Sequence, residues 1–539
     1  MFFQTILFLV LYWLPGISSE GHLDVAIVIN GSGTIASNND DFVCATLDWW
    51  PSEKCNYNQC PWGGASVLNM DLNHPILANA IKAFKPLRIR IGGSLQDKVV
   101  YDVGNLGYPC EPFSKMDDRL FGFSKGCLSM ARWDELNLLF QNTGAVMTFG
   151  LNALIGRYHV RNGIWSGAWN SSNARDFIDY TISKGYPVDS WEFGNELSGH
   201  GIGARVGVEQ YGKDVINLRS ILDELYKDSS LRALLVAPGG FYEQQWYSQL
   251  LEVSGSGVVN AMTHHIYNLG AGNDLNIKHK IIDPQYLSQI EDAFRGLQLT
   301  IQRHGPWSSA WVSEAGGSYN SGSPVVSNAF LNSLWYLDQL GMASKYDTKV
   351  YCRQSLIGGN YGLLDTETFI PNPDYYSALL WHRVMGKGVL SIDLSGSPHL
   401  RAYAHCRKDE GGVTLLLINL SKYAEFEVSV HNKLNVDLDD GVFINKNNSF
   451  VHSLKRTVSW FGRKGSDGYE KREEYHLTAM NGNHLGREML LNGNLLQLTE
   501  DGNIPDMNPV YVPVNSPVSV APLSVAFVVF PQFEARPCA

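Results

Sequence analysis

Between residues 42 and 385 the chain repeats one alternation, a short β-rich apolar run followed by an amphipathic helical stretch. That pattern marks βα units, because parallel strands need a crossover connection that is usually a helix. The strand candidates fall at 43–49, 87–91, 145–151, 190–196, 234–237, 259–265, 310–314 and 349–355. Eight of them predict an α/β fold, a (β/α)8 TIM barrel. Tyr211, Val215, Leu218, Leu222 and Leu225 recur at intervals of four and three and predict one of its helices. Asp283 before Pro284 reads as an N-cap with a first-turn proline, from which Leu287, Ile290, Phe294 and Leu297 predict a single stripe. Residues 170–185 read as a further helix, stopped by Gly185.

After residue 386 the texture changes to alternating runs such as 413–418 and 426–430, separated by turn signals, which predict a β-sandwich. An early run at 23–29 is expected to pair into that sandwich and bring the chain ends together. The expected division is therefore a leader at 1–19, a strand segment at 20–40 joining the sandwich, a catalytic barrel at 41–387 and a C-terminal β-sandwich at 388–539. A chain of 539 residues supports two cores, since single cores stop growing near about 300 residues.

Residues 2–14 are an apolar run ahead of Gly16, Ser18 and Ser19, the layout of a signal peptide cleaved near Ser19. The run is too short to span a bilayer, and no later stretch is long enough, so stable membrane insertion is not expected. Secretion follows as the expectation, to the extracellular space or cell wall, with the vacuole, the lysosome or a peripheral membrane association as other destinations. In that pathway Asn30, Asn170, Asn419 and Asn447 become glycosylation candidates, and the eight scattered cysteines suit disulfides and not a zinc motif. No metal is expected. The net charge of −11 argues against nucleic acid as a partner.

The chemistry is carried by strand ends. The run 190–196 finishes in Asn195-Glu196, and the run 310–314 finishes in Glu314, followed by Ala315-Gly316-Gly317, which clears side-chain bulk from the approach. Asn-Glu alone also suits an ordinary strand end or helix cap. Two glutamates ending separate barrel strands are what two-carboxylate glycoside hydrolysis requires, with Glu196 as general acid/base and Glu314 as nucleophile. Strand alternation predicts Glu192 and Glu196 on one face, with Glu196 at the exposed tip. Arg88 and Arg90 also share a face, and Arg90, nearer the strand's C-terminal end, is the expected partner of Glu314; a structural ion pair is the competing reading. His265 and Tyr267 can hydrogen-bond carboxylates or sugar hydroxyls, and Asn195 can orient a hydroxyl.

Phe149-Gly150-Leu151-Asn152-Ala153-Leu154, Trp169-Asn170-Ser171-Ser172-Asn173-Ala174, the segment 191–196, His264-His265 and Asn360-Tyr361 together resemble glycoside hydrolase family 79, the heparanases and heparanase-like β-glucuronidases. The resemblance implies that Glu196 is the proton donor, Glu314 the nucleophile and Asn195 a contact to the sugar 2-hydroxyl. It also implies that Asp48 and Tyr361, with Asn360 beside it, bind a terminal uronic acid. The segment 314–322, which contains Tyr319, is similar to the family loop whose backbone amides receive the uronate carboxylate. Asn320 and Ser321 stand where animal heparanases have glycines, so that role requires accessible backbone angles. Leu95 occupies a family lysine position and the basic segments that grip sulfated chains are absent, which argues against heparan sulfate. Residues 107–134 are too short to hold an excised linker, implying a single chain in which Cys110 and Cys127 form a local clasp. Cys406 and Cys538 resemble the family pair that ties down the C-terminal segment. The implied activity is a retaining glycosidase cleaving β-linked glucuronic acid from glycans, proteoglycans or glucuronides, with no cofactor. The alternatives are a barrel hydrolase of a neutral β-glycoside and a catalytically silent glycan-binding wall protein.

Overall fold

The computed structural model describes residues 21–433 and 470–539; the expected leader at 1–19 and the sequon at Asn447 lie outside the described residues. The first strand, β1 (His22–Ser37), is followed by eight parallel strands that close on themselves: β2 (Val43–Leu47), β3 (Arg88–Ile91), β4 (Val146–Leu151), β5 (Ser190–Phe193), β6 (Leu234–Gly240), β7 (Ala261–Ile266), β8 (Ser309–Ala315) and β9 (Thr348–Arg353). Each pairs with its sequence neighbour, and β9 returns to β2 through Cys352 opposite Cys44. This is the (β/α)8 barrel that the alternation predicts.

The lumen is packed in layers, as closed eight-stranded barrels require. Toward the N-terminal ends, Arg88 pairs with Asp41 and Asp189 and lies over the Trp311 ring. Cys44, Val236, Ala261, Trp311, Val350 and Cys352 form an apolar layer, in which Cys44 and Cys352 are joined by a disulfide. Arg90 occupies the next level, two residues nearer the mouth.

Among the described residues, eleven further strands build a mixed sheet, and the others form three small sheets of two or three strands. Its principal members are β10 (Met385–Ser395), β11 (Leu400–Arg407), β12 (Val413–Asn419), β13 (Glu425–Asn432), β14 (Lys471–Ala479), β15 (Val518–Val520) and β16 (Val525–Phe530). β1 lies inside this sheet, antiparallel to β10 with Val28 opposite Asp393, and parallel to β13 with His22 opposite Glu425. The segment at 534–538 closes against it, with Asn432 Nδ2 donating to the Glu534 carbonyl and Cys538 bonded to Cys406.

The run Val-Thr-Leu-Leu-Leu-Ile of β12 makes sense once both its faces are covered. Val413, Leu415 and Leu417 enter a core with Ile27, Phe426 and Val528, while Leu416 and Ile418 face the barrel's own core. Between barrel and sheet runs the helix Phe330–Lys345, buried from Phe330 to Ser344 and therefore without a solvent-facing side, its polar residues Asn332, Ser333, Asp338 and Gln339 included. Its one acidic residue, Asp338, accepts hydrogen bonds from Arg401 at 2.8 Å and Tyr403 at 2.6 Å on β11.

The stripe from Leu287 to Leu297 is not one helix. Asp283 caps Pro284–Ser288 as expected, but Gln289 and Ala293 bond back to Tyr286 and Ile290, three residues away, and a second helix, Glu291–His304, starts there. The candidate glycosylation site at Asn419 is also corrected. Asn419 is fully buried, and its Nδ2 donates to the carbonyls of Ala424, Val520 and Ala521, leaving no room for a glycan. Asn170 is exposed and Asn30 partly so.

Candidate active site

β5 ends at Phe193, three residues earlier than the alternation suggests, because Gly194 turns the backbone into the left-handed region at φ 73°. The expectation that Glu192 and Glu196 share a strand face therefore fails. Glu192 stays inside the lumen, while Glu196 follows at φ 54°, an uncommon conformation for a side chain of its size, with its amide bonded to the Gly239 carbonyl at 2.6 Å. The deviation aims Glu196 across the mouth instead of down the barrel.

Arg90 is the hub. Its Nε donates to Glu192 Oε2 at 2.7 Å, Nη1 to Glu314 Oε2 at 2.7 Å, and Nη2 to Asn195 Oδ1 at 2.8 Å, all with no solvent exposure at the arginine. Arg88, the other candidate, is spent on Asp41 and Asp189 at the far end. Burial would weaken the Arg90 guanidinium, but the charges of Glu192 and Glu314 outweigh it and keep the proton bound. Burial likewise pushes Glu192 upward, and Arg90, with His265 and Ser313, more than reverses it. Tyr267 donates to the other Glu314 oxygen, Oε1, at 2.5 Å. Burial and the Glu314 charge hold that phenol well above its usual pKa, so it remains a donor.

Glu196 has a different environment. Burial raises its carboxyl to about 7, with only Arg90 pulling the other way. Its Oε1 lies 3.0 Å from Nδ1 of His265, an imidazole that burial lowers to about 4, against the pull of Glu314. A neutral imidazole accepts from the protonated acid or donates to the carboxylate, so it serves both states. Oxygen atoms of Glu196 and Glu314 and a ring nitrogen of His265 all lie within 4.8 Å of one another. That trio could offer three ligands to a cation, but both Glu314 oxygens are already engaged and the Arg90 guanidinium opposes further positive charge.

Asp48, just past β2, is almost fully buried and pushed to about 7, first by burial and then by the Glu314 charge. It accepts from Gln354 Nε2 at 2.8 Å and from the Trp49 amide at 2.6 Å. Gly93 makes room for it: at φ 127°, a Cβ there would meet the Asp48 carboxylate at 2.5 Å. Tyr361 is buried against the 316–322 loop, where a Cβ on Gly322 would come within 2.7 Å of its ring. Asn360 hydrogen-bonds the same loop, from its amide to the Ser321 carbonyl at 2.7 Å and from Nδ2 to the Gly322 carbonyl at 3.3 Å. Tyr319 stands apart at the rim, 46% exposed.

Asn320, Ser321 and Gly322 adopt left-handed φ values of 58°, 69° and 76° in succession. Such a turn aims consecutive amides at one point. Side chains hold the two non-glycine residues there: Ser321 Oγ accepts from Trp62 Nε1 and donates to Asn56 Oδ1, and Asn320 Nδ2 donates to the Tyr57 hydroxyl, each at 2.9 Å. The Cys55–Cys60 disulfide closes the loop that carries Asn56 and Tyr57.

Three participants escaped the sequence reading. Glu192 was noticed only for its facing, Gln354 not at all, and Asp97 bridges two mouth loops by accepting from the amides of Ala153 at 2.9 Å and Asn195 at 3.0 Å. No local motif marks the last two, because their roles arise from contacts between different barrel units.

The model of the glycosyl hydrolase family 79 N-terminal domain matches residues 24–341. The chain is 60% identical over 514 residues to heparanase-like protein 1 of Arabidopsis thaliana, covering 95% of this chain and 94% of that one. It is 39% identical over 536 residues to the baicalin-β-D-glucuronidase of Scutellaria baicalensis, covering 97% and 94%. Among solved structures it is similar in fold, with TM-score 0.64 and 13% identity, to a 4-O-α-L-rhamnosyl-β-D-glucuronidase from Fusarium oxysporum, covering 94% of this chain and all of that one.

Proposed function

The chain belongs to glycoside hydrolase family 79 and is a glycosidase, and on that premise we propose that it is a retaining β-glucuronidase acting by double displacement. The observation that carries this reading is the approach of the Glu196 and Glu314 oxygens to within 4.8 Å. Retaining enzymes hold their carboxyl groups about 5 to 5.5 Å apart, and inverting enzymes about 6.5 to 9.5 Å, to admit a water.

The two carboxyls are also differentiated as the reaction needs. Glu314, bonded to Arg90 and Tyr267, is stabilised as the anion and attacks the anomeric carbon. The glycosidic bond breaks as its oxygen takes the proton of Glu196, and a glycosyl ester forms on Glu314. Water then attacks the ester from the side of Glu196, which recovers its proton, and Glu314 leaves as carboxylate. Arg90 fixes the Asn195 amide by its oxygen, so Nδ2 is left to donate to the sugar 2-hydroxyl.

The uronate preference is supported by the 320–322 turn. Its amides have no acceptor among the described residues, which suits a carboxylate bound without net positive surface; Asn360 and Tyr361 pack against the same loop, and the Asp48 charge acts on Tyr361. The relative named as a baicalin glucuronidase supports a glucuronide substrate, either a small conjugate or a glucuronic-acid-terminated glycan. Secretion is part of the proposal, supported by four disulfides and the leader at 1–19; no described helix is long and apolar enough to cross a membrane.

The test is a panel of aryl β-glucuronides against the matching β-glucosides, with the first-formed anomer read by NMR. Glucuronide turnover releasing the β-anomer is expected. Preference for glucoside, or release of the α-anomer, would refute the assignment.

A further inference from the structure

A cavity of about 720 Å³ lies away from the glutamates. It opens at the N-terminal end of the barrel: Lys85 and Pro86 lead into β3, whereas the glutamates follow strand C-termini. The end of helix Pro75–Lys82, the last turn of helix Pro373–Val384, the β11–β12 turn and the loop at 503–504 supply the walls.

Four cations from three separate stretches of sequence meet there, Lys82, Lys85, Arg383 and Lys408, and the one acidic lining residue is Asp409. The side chains of Lys82, Lys85 and Arg383 make no ion pair or hydrogen bond with any described residue. Lys408 reaches Asp40 at 3.6 Å, but Asp40 is already held by Lys387 at 2.6 Å. Asp506 acts on Arg383 only through its field, and burial dominates that guanidinium. Cations in the last turns of helices offset the carbonyl ends, which accounts for Lys82 and Arg383 but not for Lys85 and Lys408. In a chain of net charge −11, a cluster of four cations, three of them unpaired among the described residues, runs against the overall bias.

We propose that this cavity is a second, non-catalytic binding site for an acidic oligosaccharide, whose carboxylate or sulfate groups meet these four cations. The cavity also offers the side-chain amides of Asn79, whose Nδ2 already donates to the Gly502 carbonyl, and Asn503 for hydroxyls, and the half-buried side chain of Ile504 as an apolar surface. Two helix C-termini border it and no helix N-terminus does, so it lacks the converging amides of a compact phosphate site. Its charge sits on long separate stems, which matches anions distributed along a chain.

The test is calorimetric titration of the full-length protein with tetragalacturonate at low salt, with cellotetraose as the neutral control. Tetragalacturonate is expected to bind and cellotetraose not. The Lys82→Ser/Arg383→Ser double variant should weaken binding by about tenfold or more, the combined effect of two surface charge contacts. Its kcat/KM on an aryl glucuronide should not change. A Lys85→Gln/Lys408→Gln variant, checked for folding by circular dichroism, should weaken binding similarly. Absence of binding, equal binding by wild type and both folded variants, or full displacement by an equal concentration of inorganic phosphate would each overturn the proposal. Tetragalacturonate binding with no glucuronidase activity would support this site while refuting only the catalytic reading.

Discussion

Glu196 and Glu314 are the same side chain in opposite electrostatic surroundings, and the difference lies in who donates to them. Glu196 faces an imidazole kept neutral by burial, and its raised pKa suits it to the proposed role of acid. The acid form exists below about 7 and is lost as pH rises through that value, so kcat/KM should fall on the alkaline side with a midpoint near 7. Glu196→Gln should lower kcat by about 10² to 10⁴ on substrates with poor leaving groups and remove that alkaline limb, without unfolding the protein. A pH–rate profile of both proteins checks this. Arg90→Met should be far more disruptive, since it strands Glu192 and Glu314 as buried charges; a loss of about 3 to 5 kcal/mol in urea unfolding is expected. Glu314 was legible as a strand end and Glu196 as the end of the same apolar run, although β5 stops three residues before it, and Arg90 was separable from Arg88 by its position along one strand. Asp97 and Gln354 were not, because each acquires its role only when loops from different units converge.

At the level of elements, the eight strands were readable because each needed a burst of apolar residues between helical stretches. What the sequence concealed was where they stop. β5 ends at a glycine whose left-handed φ no periodicity reveals, and the segment from Asp283 splits where its hydrogen bonds tighten. Asn419 satisfied a sequon pattern, yet its amide is consumed by three carbonyls of the sheet. The bond between Cys44 and Cys352 joins the first barrel strand to the last across 308 residues. In the chain-entropy picture such a loop is worth about 5 kcal/mol, less where the reduced chain keeps structure. Replacing both cysteines with serine should therefore lower the melting temperature markedly while leaving the geometry around Arg90 intact, measurable as a drop in Tm with KM preserved at low temperature.

Across the whole molecule, three buried carboxyls, Asp48, Asp97 and Glu196, have pKa values raised to about 7 in the folded state. Each of these carboxyls binds more protons in the native chain than in the unfolded one between about pH 4 and 7 and contributes stability that declines as pH rises, whereas burial lowers His264, His265, His382 and His405 to about 3 or 4, so the histidines contribute in the opposite sense. Asp97→Asn removes one of the declining contributions and should make the change in Tm from pH 5 to pH 8 more positive than in the wild type; an unaltered pH trend in thermal melts would contradict the raised value at Asp97. One feature of the architecture reaches beyond equilibrium. β1 sits between β10 and β13, so Val28 waits for Asp393. At roughly 5 to 20 residues per second, that partner leaves the ribosome on the order of 20 to 70 s later. Throughout that interval the nascent chain exposes an unpaired, apolar strand edge, which makes it a client for chaperones and makes any fragment lacking β10 prone to aggregate instead of standing as an independent enzyme.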